Sequence, residues 1–167
     1  MLINDCTPAK PCSSKTLTNG KKYFFKFNDQ YFLKLYLDEK RENIFILCYD
    51  AIELENKRYE IKLNKMDFNY SNRFFKMYDK IEEIYELTYE IFEFNRYKII
   101  KPKDDSLLIE LNYNLIVDNN NKFRDNIQLE MKLNTNGEFS RDYNYILINL
   151  KNKYNKDISK KKKELFD

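Results

Sequence analysis

From Tyr23 to Leu133 the chain mostly alternates apolar and polar residues, with one interruption where the period changes. Tyr23–Phe27 reads as a first strand. Tyr31–Leu37 is a second, with Tyr31, Leu33, Leu35 and Leu37 on one face and Phe32 and Tyr36 on the other. Asp38–Glu42 is a charged turn. Asn43–Tyr49 (NIFILCY) is apolar enough to be buried on both faces, and Arg58–Asn64 (RYEIKLN) alternates as a strand wet on one side does. The period then becomes helical. Asp67 is placed to cap a short helix from Phe68 to Met77, anchored by Phe68, Phe74 and Phe75. Asp79 followed by Glu82 predicts a second start. Beyond it Ile81, Ile84, Tyr85, Thr88, Ile91 and Phe92 form one stripe, opposite Glu82, Glu83, Glu86, Glu90 and Glu93. Strands resume at Arg96–Lys101, Ser106–Val117 and Ile127–Leu133, with turns at Pro102–Asp105, Asp118–Arg124 and Asn134–Glu138. Gly137 is expected to take a positive φ. Ser140–Asp167 predicts a final helix capped by Ser140 or Asp142. Its stripe of Tyr143, Leu147, Leu150, Tyr154, Ile158 and Leu165 is interrupted by Lys153, Asp157 and Lys161. That is the opening of a coiled coil at most.

This order predicts an α+β fold: a seven-stranded antiparallel sandwich or barrel-like head, an inserted helix-turn-helix, and a C-terminal helix leaving as a stalk. The domain reading is a flexible N-terminal arm over 1–20, a head over 21–139 with its helical pair at about 67–94, and the terminal helix over 140–167.

Composition narrows the function more than it names one. The 167 residues are 43% hydrophobic and 16% aromatic, enough for a real core. Thirty basic residues against 27 acidic leave a net charge of +3, dense but mixed, without the segregated excess of a nucleic-acid binder. No apolar run is long enough to span a bilayer, and MLINDCTPAKPC lacks a signal-peptide pattern. The expectation is therefore a cytosolic or nuclear chain with reduced cysteines and no membrane partner. Histidine is absent, Cys6 and Cys12 lie in the polar arm, and Cys48 lies in an apolar strand. No metal, cofactor or catalytic set is expected, because no spacing suits a metal, a phosphate loop or a nucleophile–base pair. The acidic pairs Asp38-Glu39, Glu82-Glu83 and Asp104-Asp105 fall in turns or on a solvated helix face.

The stretch Ile116-Val117-Asp118-Asn119-Asn120-Asn121-Lys122-Phe123-Arg124 ends one strand in a polar tip carrying an aromatic and a basic residue. Ile127–Leu133 alternates after it, Asn136-Gly137-Glu138 turns, and Tyr143–Leu150 begins the helix. Upstream, Tyr59–Leu63 runs into Asp67-Phe68. With four strands, a helical pair, three strands and a terminal helix over Lys21–Leu150, this resembles the head-and-coiled-coil superfamily of the centriolar cartwheel proteins and the DNA end-joining scaffolds. The tip has one extra residue, and Asn134-Thr135-Asn136-Gly137 replaces the family's Pro-Gly-Asn turn.

The resemblance implies a non-enzymatic protein of the centriole or basal body. It would form a homodimer and higher homo-oligomers, with other centriolar or cytoskeletal proteins as further partners. Head–head contact would use the 117–126 hairpin: Phe123 as a knob, with Lys122, Arg124 and Asn121 around it. The stalk seam would be Tyr143, Leu147, Leu150, Tyr154 and Ile158. Against this stand a Phe123 packed on its own hairpin and a terminal helix lying back on the head. The alternatives in function are a nuclear scaffold of double-strand-break repair, or a nucleic-acid-binding module using Lys21-Lys22-Tyr23-Phe24-Phe25-Lys26 and Lys160–Lys163. Nucleic acid is the less expected partner.

Overall fold

The computed structural model describes residues 21–52, 57–116 and 122–166, with backbone only at 115–116 and 122–124. It is α+β. Seven strands form one antiparallel sheet: β1 (Tyr23–Lys26), β2 (Tyr31–Leu37), β3 (Asn43–Asp50), β4 (Arg58–Asn64), β5 (Tyr97–Lys103), β6 (Ser106–Ile116) and β7 (Lys122–Asn134), in the order β1-β2-β3-β4-β7-β6-β5. Between β4 and β5 come α1 (Lys65–Ser71), a 3-10 turn (Arg73–Met77) and α2 (Ile81–Glu93). The chain ends in α3 (Ser140–Phe166).

The sheet is strongly curled. In a flat sheet its edges β1 and β5 would stand about 29 Å apart, six steps of about 4.8 Å. Yet the ring of Phe27, just past β1, lies 5.4 Å from that of Tyr97, the first residue of β5. Helix α2 fills the remaining gap. Its Tyr89 touches Tyr23 (4.8 Å) and Phe25 (5.5 Å), and its Phe92 touches Phe25 (5.5 Å) and Tyr97 (4.9 Å). The main core lies inside the curl. It joins α2 to Leu33, Leu35, Ile44 and Ile46, to Leu107, Ile109 and Leu111 on β6, and to Met131 on β7. Thr88 of α2 anchors the helix to β6 through a buried hydroxyl pair with Tyr113 at 2.8 Å.

The opposite, outer face of the sheet is covered over β2 and β3 by the first turns of α3. Phe32, Leu47, Tyr49 and Ala51 pack there with Phe139, Tyr143 and Ile146. Tyr31–Leu37 therefore divides between two cores as its alternation predicts, and β3 is buried on both faces.

Several boundaries differ from the sequence pattern for local reasons. Asn64, not Asp67, caps α1. Its side chain accepts from the Asp67 N–H, and the Asp67 carboxylate accepts from the Asn64 N–H, so Asp67 is the third helical residue of a capping box. The helix expected over 68–77 is split at Asn72, whose side chain accepts from the Phe74 N–H and starts the 3-10 turn. Helix α2 begins at Ile81 after Lys80, with no side-chain cap, so Asp79 does not cap it. Strand β5 runs on through Pro102, which an edge strand tolerates at an irregularity in its pairing. Gly137 does not take a positive φ. Space requires it instead: a Cβ there would lie 2.4 Å from the Phe139 ring.

Candidate assembly surfaces

The base of α3 is held by a polar network on the outer face. Alternation along β2 turns Lys34 outward, where α3 covers it, leaving it 7% exposed. Its Nζ donates to both carboxylate oxygens of Asp142 at 2.9 Å. The Tyr49 hydroxyl donates to the same carboxylate and accepts from the Arg58 guanidinium at 3.1 Å. Arg58 Nε donates to Glu60 at 2.8 Å, and Asn134 Nδ2 donates to the other Glu60 oxygen at 2.9 Å. The Arg58 guanidinium also lies over the Phe139 ring, 4.3 Å from its centroid. Four strands and α3 thus meet in one chain of bonds. Burial lowers the Lys34 pKa against the opposing pull of Asp142, and burial, with Asp142 beside it, raises that of Tyr49. Burial likewise pushes Tyr143 up to about 12, and its hydroxyl donates to the Lys57 carbonyl at 2.7 Å.

Farther along, Leu150 still packs against the outer-face core. Lys153 pairs with Asp29 at 3.0 Å, an exposed contact that salt screens. Tyr154 (65% exposed), Leu165 (79%) and Phe166 (87%) are then open. At 100° per residue, Leu147, Tyr154, Ile158 and Leu165 fall on one narrow stripe. The stalk residues named from sequence are thereby separated. Tyr143 and Leu150 serve the packing of α3 on its own sheet, Leu147 and Tyr154 are exposed, and Ile158 is partly covered. Ile146, fully buried, was missed, because helical spacing alone does not show which of two adjacent stripes meets the sheet.

The β6–β7 hairpin is the longest pairing in the sheet. β4 pairs with β7 only at 132–134, and β5 pairs with β6 only at 106–111, so the hairpin runs on beyond both neighbours. Lys122, Phe123 and Arg124, expected in a turn, lie in β7 opposite Ile116, Leu115 and Asn114. Asn121 and the rest of the tip at 117–121 lie outside the described residues, as does the arm at 1–20.

No family model, no curated protein and no solved structure matches this chain. Among the described residues no three histidine, cysteine or acidic side chains gather where a metal could sit, and no helix is long and apolar enough to cross a membrane. Cys48 is fully buried, and desolvation raises its pKa far above the ordinary thiol value, which leaves it inert as a nucleophile.

Proposed function

We propose that this chain is a non-enzymatic self-assembly protein, a head bearing a stalk, of the kind that builds the cartwheel hub of a centriole or basal body. Copies pair through the distal half of α3 and join head to head through the β6–β7 hairpin. In this reading the curled sheet stands where that family has its sandwich-like head, and the segment from α1 to α2 stands where it has its helix-turn-helix. The supporting observation is that Tyr154 and Leu165, on the stripe that Leu147 begins and the half-buried Ile158 shares, stand exposed along the distal part of α3.

Lys151 and Lys161 flank that stripe, so a parallel dimer would bring like charges together and be weak at low salt. The parent is expected to dimerise in sedimentation equilibrium, more tightly as salt rises, and Tyr154→Glu with Ile158→Glu is expected to leave a folded monomer. A parent that stays monomeric at every concentration would end this reading.

Burial of one phenylalanine contributes about 1.5–3 kcal/mol. A head contact built on Phe123 is therefore weak alone and acts through the effective concentration that paired stalks supply. Phe123→Glu is expected to remove species larger than the dimer and to keep the dimer itself. Unchanged large species in that variant would discard the knob.

The exposed lysines of the distal helix favour one second reading, a nuclear scaffold on DNA. It requires a duplex affinity that falls steeply with salt.

A further inference from the structure

Beyond the Lys153–Asp29 pair, α3 runs on for about 20 Å. Every residue from Lys151 to Phe166 is exposed except the half-buried Ile158. From Lys151 to Asp167 seven lysines stand against three acidic residues. From this distribution, and on the reading of α3 as a stalk, we infer that its distal half docks an acidic helix of a different protein.

What matters is position on the helix. Tyr154, Ile158 and Leu165 are spaced as the d, a and a residues of a heptad seam, with Leu147 at the d before them. Lys151 takes the a position between Leu147 and Tyr154. Lys161 takes the d position between Ile158 and Leu165. The two lysines that flank the stripe are thus seam residues themselves.

A second copy cannot neutralise them. In a parallel pair each seam residue faces its own counterpart, so Lys151 meets Lys151 and Lys161 meets Lys161. The antiparallel register that sets Tyr154 against Ile158 and Leu147 against Leu165 sets Lys151 against Lys161. Either orientation brings like charges together, which disfavours the pair. A helix with apolar side chains at the other seam positions, and carboxylates at the spacing of Lys151 and Lys161, turns both repulsions into attractions.

The width of the stripe separates a helix from other anionic partners. Leu147, Tyr154, Ile158 and Leu165 lie within about 40° of arc at 100° per residue. That suits one coiled-coil seam, whereas a helix lying in a bilayer surface needs a much broader apolar face. Duplex DNA would take the charge and leave the stripe uncovered. Lys160 and Lys163, on the far side of the helix, add only long-range attraction for an acidic partner.

The test uses the full chain and a dilute, dye-labelled, end-blocked peptide helix. The peptide has a leucine seam, glutamates facing Lys151 and Lys161, and glutamates along both flanks. A control peptide carries glutamine for every glutamate. Fluorescence anisotropy is expected to show saturable binding of the acidic peptide that weakens as salt rises, the reverse of the homodimer. The control is expected to bind at least about tenfold more weakly. Lys151→Gln with Lys161→Gln is expected to cost about tenfold in affinity. Lys160→Gln with Lys163→Gln removes the same charge from the far side and is expected to cost less than about twofold. All four lysines are exposed, so both variants keep the fold. Sedimentation of the parent alone separates the two pairings. A monomer that binds the acidic peptide supports the acidic partner and ends self-pairing. A dimer that ignores the peptide ends the acidic partner and keeps self-pairing, and a parent that neither pairs nor binds ends both. Equal losses in the two double variants, equal binding of the control, or release of the peptide by duplex DNA or by phosphatidylserine vesicles would overturn the acidic helix as partner.

Discussion

Asp142→Ala is expected to destabilise the protein by about 3–5 kcal/mol, the usual cost of removing one partner of a buried ion pair. Two groups lose their acceptor at once. Lys34 keeps its charge under α3 with nothing to neutralise it, and the Tyr49 hydroxyl loses the carboxylate it donates to. The loss is large beside the roughly 5–15 kcal/mol that holds a typical domain together. Its pH dependence identifies the cause. Burial already lowers the Lys34 pKa, and without Asp142 nothing opposes that lowering. The unfolded chain then holds a proton that the folded chain does not, from the depressed folded pKa up to the ordinary lysine value of about 10.4. Across that window the variant's stability rises with pH. Replacing both partners, Lys34→Met with Asp142→Leu, is expected to recover most of the loss. Urea unfolding at a series of pH values measures all three. A single variant as stable as the parent, or one whose stability is flat with pH, would show that the pair does not hold α3 in place.

The signal for this network was half visible in the sequence. FLKLYL sets one lysine in a strand that is otherwise apolar on both faces, which asks for a buried partner. The partner lies 108 positions away, and no local period points to it. The same division runs through the fold. Strands β2 and β4 were legible to the residue, because alternation is a local consequence of the pleat. The helix break at Asn72 was not, since an asparagine inside an apolar helical pattern can either face solvent or cap a new turn. Nor was the start of β7, where Lys122, Arg124, Asp125 and Asn126 give the composition of a loop to residues that pair as a strand.

Closure of the sheet has a comparable basis in a few aromatic side chains. Phe92→Ala is expected to cost about 3–5 kcal/mol, the range for a buried phenylalanine that leaves a cavity behind. What separates it from other core truncations is where the damage falls. The Phe92 ring touches Phe25 beside one edge of the sheet and Tyr97 at the other, so it spans the seam that the curl brings together. Only four residues make up β1, and among the described residues its one strand neighbour is β2. Without Phe92 the edge has less to rest on, and the amides of β1 and β5 are expected to exchange by local opening, well before the rest of the sheet. Phe68→Ala removes a ring of the same size from the packing of α1 against the 3-10 turn, away from the seam. In that variant β1 and β5 are expected to lose protection only in step with global stability. Native-state hydrogen exchange on the two proteins distinguishes the cases. If Phe92→Ala loosens every strand equally, the rings at the seam are ordinary core and the curl is held by the ladder itself.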